Sequence, residues 1–235
     1  MARKKKDVSQ DTLDTRKKYV LIAIRILEEE GIDALSVRRV ADEVGCTCAV
    51  LYRHFENKRD LLMVAAVKFL QPYIKRNMIA WNRDDLNFIQ KNLKDWKTFI
   101  DDAFWNKPYY ELFFSDPRED NLYEYMLEYY RLFPSEMVRF DGFTGTVILN
   151  TNVQDRELIC LRRAANKGFI TMENADLLSR LDSAVFDGIF SRCPSDKNEG
   201  QAIQTLADEC FKLVAELYSK YVNPDVDLSA AFEED

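Results

Sequence analysis

A chain of 235 residues with 47% hydrophobic and 31% charged residues is long enough to bury its own core, and its balance excludes a disordered or fibrous chain. The net charge of −7 excludes a uniformly basic protein, yet residues 1–60 sum to +2 and the remainder to −9, a basic head on an acidic body. Seven glycines and six prolines are few, which favours long helices over many short strands. The five cysteines are odd in number and irregularly spaced, so they read as reduced thiols in a cytoplasmic protein. No apolar run approaches the roughly 20 residues of a membrane span. The basic start, MARKKKDVSQD, lacks the apolar segment of a signal peptide.

The first helix is predicted in DTRKKYVLIAIRILEEEG. Val20, Ala23, Ile24 and Leu27 form one apolar stripe at helical period, and Gly31 stops it. Ser36 caps a second helix, with Val37, Val40, Ala41 and Val44 on one face and Gly45 as its stop. Thr47 caps a third, expected to run to about Phe55 with Leu51 and Phe55 inward. Asn57 caps a fourth, with Asp60 placed almost as a capping box and Pro72 predicting a kink or restart near Gln71. Leu86, Ile89, Leu93, Trp96 and Ile100 mark a further helix, and Leu122, Met126, Tyr129 and Phe133 another. The glycine-dense FDGFTGTV reads as a loop. Helices follow in DRELICLRRAANKG, in NADLLSRLDSAVFDGIFSR and in NEGQAIQTLADECFKLVAELYSKYV, the last with a capping box expected at Asn198 and Gln201. The acidic end, NPDVDLSAAFEED, reads as frayed.

Three short helices with glycine-marked turns within about 40 residues describe a helix-turn-helix head. Its third helix carries small residues in its first turn, which suits entry into a major groove. The hydroxyl of Tyr52, the imidazole of His54 and the ammonium of Lys58 suit phosphate oxygens.

The stretch LSVRRVADEVGCTCAVLYRHFENKRDLL, with the preceding helix and Gly31, resembles the DNA-binding domain of the tetracycline-repressor (TetR) family over about residues 12–62. The matching features are the Ser36-started helix, Ala41, Gly45, Leu51-Tyr52, His54-Phe55, Asn57-Lys58 and Leu61. The resemblance implies that Tyr52, His54 and Lys58 meet backbone phosphates. It implies that Thr47, Cys48, Ala49, Val50 and Arg53 face bases or nearby phosphates, and that Arg38 reads guanine. The chain departs from the family pattern at Ala49, where many members have glycine, and at Cys46 and Cys48. Residues 48–50 offer almost no hydrogen bonding, so apolar contact with thymine methyls is expected there.

The resemblance also implies a homodimer built on the last two helices. Independently, Ile203, Leu206, Cys210, Leu213, Leu217 and Tyr221 form a seam-like stripe, and Ala184 and Gly188 would let another helix approach closely. Residues 81–143 are rich in aromatics, most of them expected in the core. Helical ligand sites are lined by such residues, so Trp96, Phe99, Phe104, Trp105, Tyr109, Tyr110, Phe113, Tyr129 and Tyr130 are candidates for an effector pocket that takes a hydrophobic or aromatic molecule. His54 is the only histidine, so a tetracycline–metal site of the family's histidine-containing design is not expected.

Cys46 and Cys48 alone make an incomplete metal site and a strained disulfide, so packing and groove contact is the preferred reading. His54 has no motif-placed nucleophile, so a catalytic triad is unsupported. Arg3, Lys4, Lys5 and Lys6 read as a solvated tail, with an arm along DNA as the alternative reading. The expectation is an all-α protein with a head at 1–57, comprising the helix-turn-helix and its basic tail, and a helical effector-binding and dimerisation domain at 58–235. It calls for no cofactor, no metal and no catalysis. The expected role is a ligand-responsive transcriptional regulator, foremost a repressor, that binds palindromic double-stranded DNA as a homodimer and is released by a small molecule. The alternative keeps the same head on a nucleoid or division protein.

Overall fold

Apolar stripes at helical period become helices in chain order. The computed structural model describes residues 10–114, 122–139 and 141–232. Within them lie α1 (Gln10–Glu30), α2 (Val37–Val44), α3 (Cys48–Leu51), α4 (Lys58–Trp81), α5 (Phe88–Trp105), α6 (Lys107–Phe114), α7 (Leu122–Leu132), α8 (Gly142–Ile148), α9 (Val153–Asn166), α10 (Met172–Phe190) and α11 (Gly200–Tyr221). The fold is all-α. Among the described residues the sole strand-like pairing is an isolated bridge between Ile170 and Val222. None of the helices is long and apolar enough to cross a membrane. The basic tail at Arg3–Lys6 lies outside the described residues.

The chain divides into two compact units. One holds residues 1–69 and 121–137, the other residues 70–120 and 138–235. In the first, the α1 stripe of Val20, Ala23, Ile24 and Leu27 is buried with Val40, Ala41, Leu51 and Phe55. Helix α7 joins this unit. Glu128 meets Arg16 of α1 at 2.8 Å, and the Tyr125 hydroxyl lies 3.4 Å from Asp60 Oδ1 at the start of α4. Lys68 pairs with Glu136 at 3.1 Å, and Tyr129 donates to Glu136 at 2.8 Å.

The second unit is built around α5, whose Ile89, Leu93, Trp96, Phe99 and Ile100 are buried. Asn87 and Gln90 close a reciprocal capping box at its start, which the sequence reading did not anticipate. An aromatic cluster fills the core. Phe99 lies 5.2 Å from Phe186, and Phe186 stacks on Phe190 at 5.1 Å.

Several expectations are corrected. Helix α3 ends at Leu51, and turn hydrogen bonds from Arg53 to Val50 and from His54 to Leu51 deliver Phe55 to the core. Of the kink or restart expected near Gln71, the restart does not occur, and α4 runs through Pro72 as one helix. Pro72 is exposed while Leu70, Gln71, Tyr73 and Ile74 are buried, so packing of the flanking residues holds the helix across the missing N–H. The glycine-dense stretch is helix α8, because Asp141 accepts from the Thr144 amide at 2.6 Å and Thr144, Val147 and Ile148 are buried.

Asn198 makes no capping box. Asp196 caps a short 3-10 turn over Lys197–Glu199 that leads directly into α11. The acidic end is tied down as far as residue 232. Asn87 donates to the Asp227 carbonyl at 2.8 Å, and Ala231 is buried. The expected α11 stripe divides between two faces. Ile203 and Cys210 are buried within the subunit alongside Ala207, Val214 and Tyr218, whereas Leu213 is exposed and Leu206 and Leu217 are half-buried.

Candidate nucleic-acid interface

The head is set by two local devices. Ser36, in extended backbone, accepts from the Arg39 amide at 3.2 Å and starts α2. Gly45 ends it at φ 80°, a left-handed conformation that a side chain resists, and the Cys46 amide then reaches back to the Ala41 carbonyl at 2.9 Å. This turn is followed at once by Thr47, which opens α3 from extended backbone without a side-chain capping bond. Leu51 and Phe55 are buried and anchor the segment.

The outward side carries the candidate contact residues. Arg38 projects from α2 with its side chain 87% exposed, and it pairs at 3.8 Å with Asp42, itself 70% exposed. Such an exposed pair contributes little and leaves the guanidinium available. Thr47, Ala49, Tyr52, Arg53 and Lys58 are exposed, and Cys48, Val50 and His54 are half-buried. Lys58 is the first residue of α4, where backbone amides and the helix dipole favour an anion. Asn57 accepts from the Asp60 amide at 2.9 Å, and Asp60 accepts from the Glu56 amide at 3.1 Å, a capping pair shifted by one residue from a regular box.

His54 lies against Tyr19, ring centroids 5.4 Å apart. Burial, with the Arg16 and Arg53 charges, holds its imidazole below the ordinary histidine range. The neutral form of the ring is thereby favoured. Cys46 is 3.4 Å from the Tyr19 hydroxyl, and burial together with this thiol pushes the phenol up to about 12. Both Cys46 and Cys48 are unbridged, and no metal-binding cluster occurs among the described residues.

The tie between α3 and the rest of its unit was missed by sequence reasoning. Arg16 donates through Nη1 to the His54 carbonyl, lies 4.4 Å over the Phe55 ring and meets Glu128 through Nε. Its partners are 38 and 112 residues away, so no local pattern announces them.

A family model described as bacterial regulatory proteins, tetR family, matches residues 22–64, the segment just built. The chain carries a tetR-family helix-turn-helix head. Helix-turn-helix-type transcriptional regulators of Staphylococcus aureus, from strain bovine RF122 / ET3-1 and from strain USA300, are each 34% identical to it over 65 residues. That alignment takes in 28% of this chain and 35% of each relative, so the chain spans about a third of the length of the curated relatives it matches. A TetR transcription regulator from Haloarcula marismortui is similar at 15% identity with a TM-score of 0.48, over 89% of this chain and all of that one.

The nine aromatic candidates for an effector pocket fall in different places. Trp96 and Phe99 line a cavity between α5, α8 and α9, together with Asp95, Val147, Val153, Arg156, Glu157 and Cys160. The cavity volume is about 10 Å³, room for one water. Phe104 packs on Phe186 and Phe190, and half-buried Trp105 donates to Gln204 at 3.1 Å. Tyr109, Tyr110 and Phe113 are buried in the same unit, with Tyr110 5.6 Å from Phe99. Tyr129 and Tyr130 belong instead to the head's unit, where Tyr129 packs on Phe133 at 4.7 Å.

The cavity's charged residues were also missed. Arg156 donates to the Tyr73 hydroxyl and lies 3.7 Å from Asp95. Glu157 accepts from Tyr218 and from Asn92. Burial pushes the Glu157 carboxyl up to about 7, against the hydrogen bond from Tyr218 that favours its ionised form. A signal was present, because Arg156 and Glu157 precede the buried Cys160 and Leu161 by four residues and so continue the buried stripe of α9.

Proposed function

We propose that this chain is a DNA-binding transcriptional regulator, foremost a repressor, that works as a homodimer on palindromic sites and is released by a small molecule. The observation that carries the reading is the head itself. A Ser36-capped helix and a left-handed Gly45 turn present α3 with its apolar side buried and Thr47, Ala49, Tyr52 and Arg53 outward, in a segment that matches the tetR family. In the proposed complex Arg38 reads guanine, residues 47–50 and Arg53 lie along bases or nearby phosphates, and Tyr52, His54 and Lys58 meet phosphates.

Two features support a dimer formed through α10 and α11. Ala184 and Gly188 face solvent four residues apart on α10, and Leu213 is exposed on α11 between half-buried Leu206 and Leu217. The effector is assigned to the unit built on α5 and α9. The narrowness of its cavity means that the ligand shifts the population of conformers rather than filling a standing void. Selection of bound sequences from random DNA by the full chain tests the function. The expected product is a palindrome with half-sites about one helical turn, or a multiple, apart. A pool with no enrichment over its input removes the reading.

A further inference from the structure

The cavity between α5, α8 and α9 sets a buried cation against an aromatic wall. Arg156 is 5% exposed, and among the described residues its Nη1 has no hydrogen-bond partner. A buried guanidinium N–H without an acceptor is costly, so a group that supplies one there binds with that cost relieved. The carboxylates of the same wall are already engaged. Asp95 accepts from the Tyr73 hydroxyl at 2.8 Å and from Asn77, and Glu157 accepts from Tyr218 and at 3.1 and 3.3 Å from Asn92. What the wall lacks is an acceptor.

Charge decides which acceptor. Asp95 balances Arg156 and Glu157 adds a second carboxyl group, so an incoming carboxylate would be buried beside two others. An ammonium would face the guanidinium, which already covers the Phe99 ring at 4.5 Å. A neutral oxygen meets neither objection.

We infer that this cavity takes a small neutral molecule with a flat apolar body and a carbonyl-type oxygen, the oxygen accepting from Arg156 Nη1 and the body lying against Trp96 and Phe99. The inference rests on the effector reading above and names the chemistry of that effector. Entry requires the wall to yield. The side that α8 supplies through Val147 comes from a seven-residue helix with glycines at 142 and 145, a backbone that resists displacement weakly.

The test uses the full chain and four probes that share a benzene ring: acetophenone, benzoate, benzylamine and ethylbenzene. Calorimetric titration, with tryptophan fluorescence as a second signal from Trp96, is expected to show saturable acetophenone binding about tenfold tighter than any of the other three. Arg156→Gln is expected to bring acetophenone down to the level of ethylbenzene. Because loss of a buried charge can unsettle the fold, Val153→Phe serves as a second variant that fills the cavity and leaves Arg156 in place. It is expected to abolish acetophenone binding while the far-ultraviolet circular dichroism stays that of the parent chain, even where overpacking lowers the melting temperature. No saturable acetophenone binding, or binding of benzylamine or benzoate as tight or tighter, overturns the inference. A chain that selects a palindrome yet ignores acetophenone keeps the regulator reading and loses this one. A chain that binds acetophenone through Arg156 yet selects no DNA does the reverse.

Discussion

Arg16 of α1 donates to the backbone carbonyl of His54, just past α3, while its Nε meets Glu128 of α7 at 2.8 Å. One guanidinium thus ties the chain just past α3 to helix α7, and lies 4.4 Å over the Phe55 ring. Arg16→Ala should destabilise the unit by about 1–3 kcal/mol, because the His54 carbonyl loses its charged donor. Arg16→Lys should recover only part, since an ammonium cannot reproduce the planar fork. Urea unfolding followed by circular dichroism checks this, and an unchanged midpoint for Arg16→Ala would remove the claim.

Arg38 is nearly fully exposed and weakly paired, so its replacement should leave stability within about 0.5 kcal/mol. Its effect should appear on DNA. Arg38→Ala is expected to cost about 1–3 kcal/mol on the selected sequence and to relax preference at one base position. Equal losses on selected and random DNA would contradict base reading.

Tyr52 and Lys58 should behave differently from Arg38. Tyr52→Phe and Lys58→Ala should weaken binding to all sequences alike, and Lys58→Ala should also lower the slope of log affinity against log salt by about 1. Titrations at several salt concentrations separate these outcomes. A sequence-dependent loss for Lys58→Ala would move it from phosphate to base contact.

Glu157 makes stability depend on pH. Its folded carboxyl titrates at about 7, above the value of about 4.3 in an unfolded chain. The folded state therefore holds the extra proton between those values. Its stabilising contribution is complete below about pH 4 and is lost as pH rises through 7. Burial also raises Asp95 and Asp182, which act in the same direction. The unfolding free energy should fall by a few kcal/mol between pH 5 and pH 8, and Glu157→Gln should flatten that decline. A slope unaltered in the variant would assign the dependence to the aspartates.

The legible parts of this molecule were those written within one helical turn of each other. Ser36 three residues before its donor, Gly45 at the left-handed stop, and Leu51 with Phe55 one turn apart all announce the head locally. Long-range ties were not legible. Nothing near Arg16 specifies Glu128, and nothing near Tyr73 specifies Arg156, 83 residues on. Glycine density misled at α8, where the Asp141 cap and the buried Val147 and Ile148 outweigh glycine's poor helix propensity. The α11 stripe misled in another way. Apolar residues at spacings of three and four cover more than one face of a helix, and Cys210 turned inward while Leu213 turned out.

Helix α7 enters the head's unit from more than fifty residues beyond the end of the unit's first segment at Phe69. That makes the head a poor candidate for modular exchange. Grafting residues 1–69 onto another protein's body would leave Glu128, Tyr125 and Tyr129 behind, and with them the partners of Arg16 and Asp60. A recombinant keeps the head intact only if it carries both segments. Two distant stretches of the gene are therefore expected to have been inherited together.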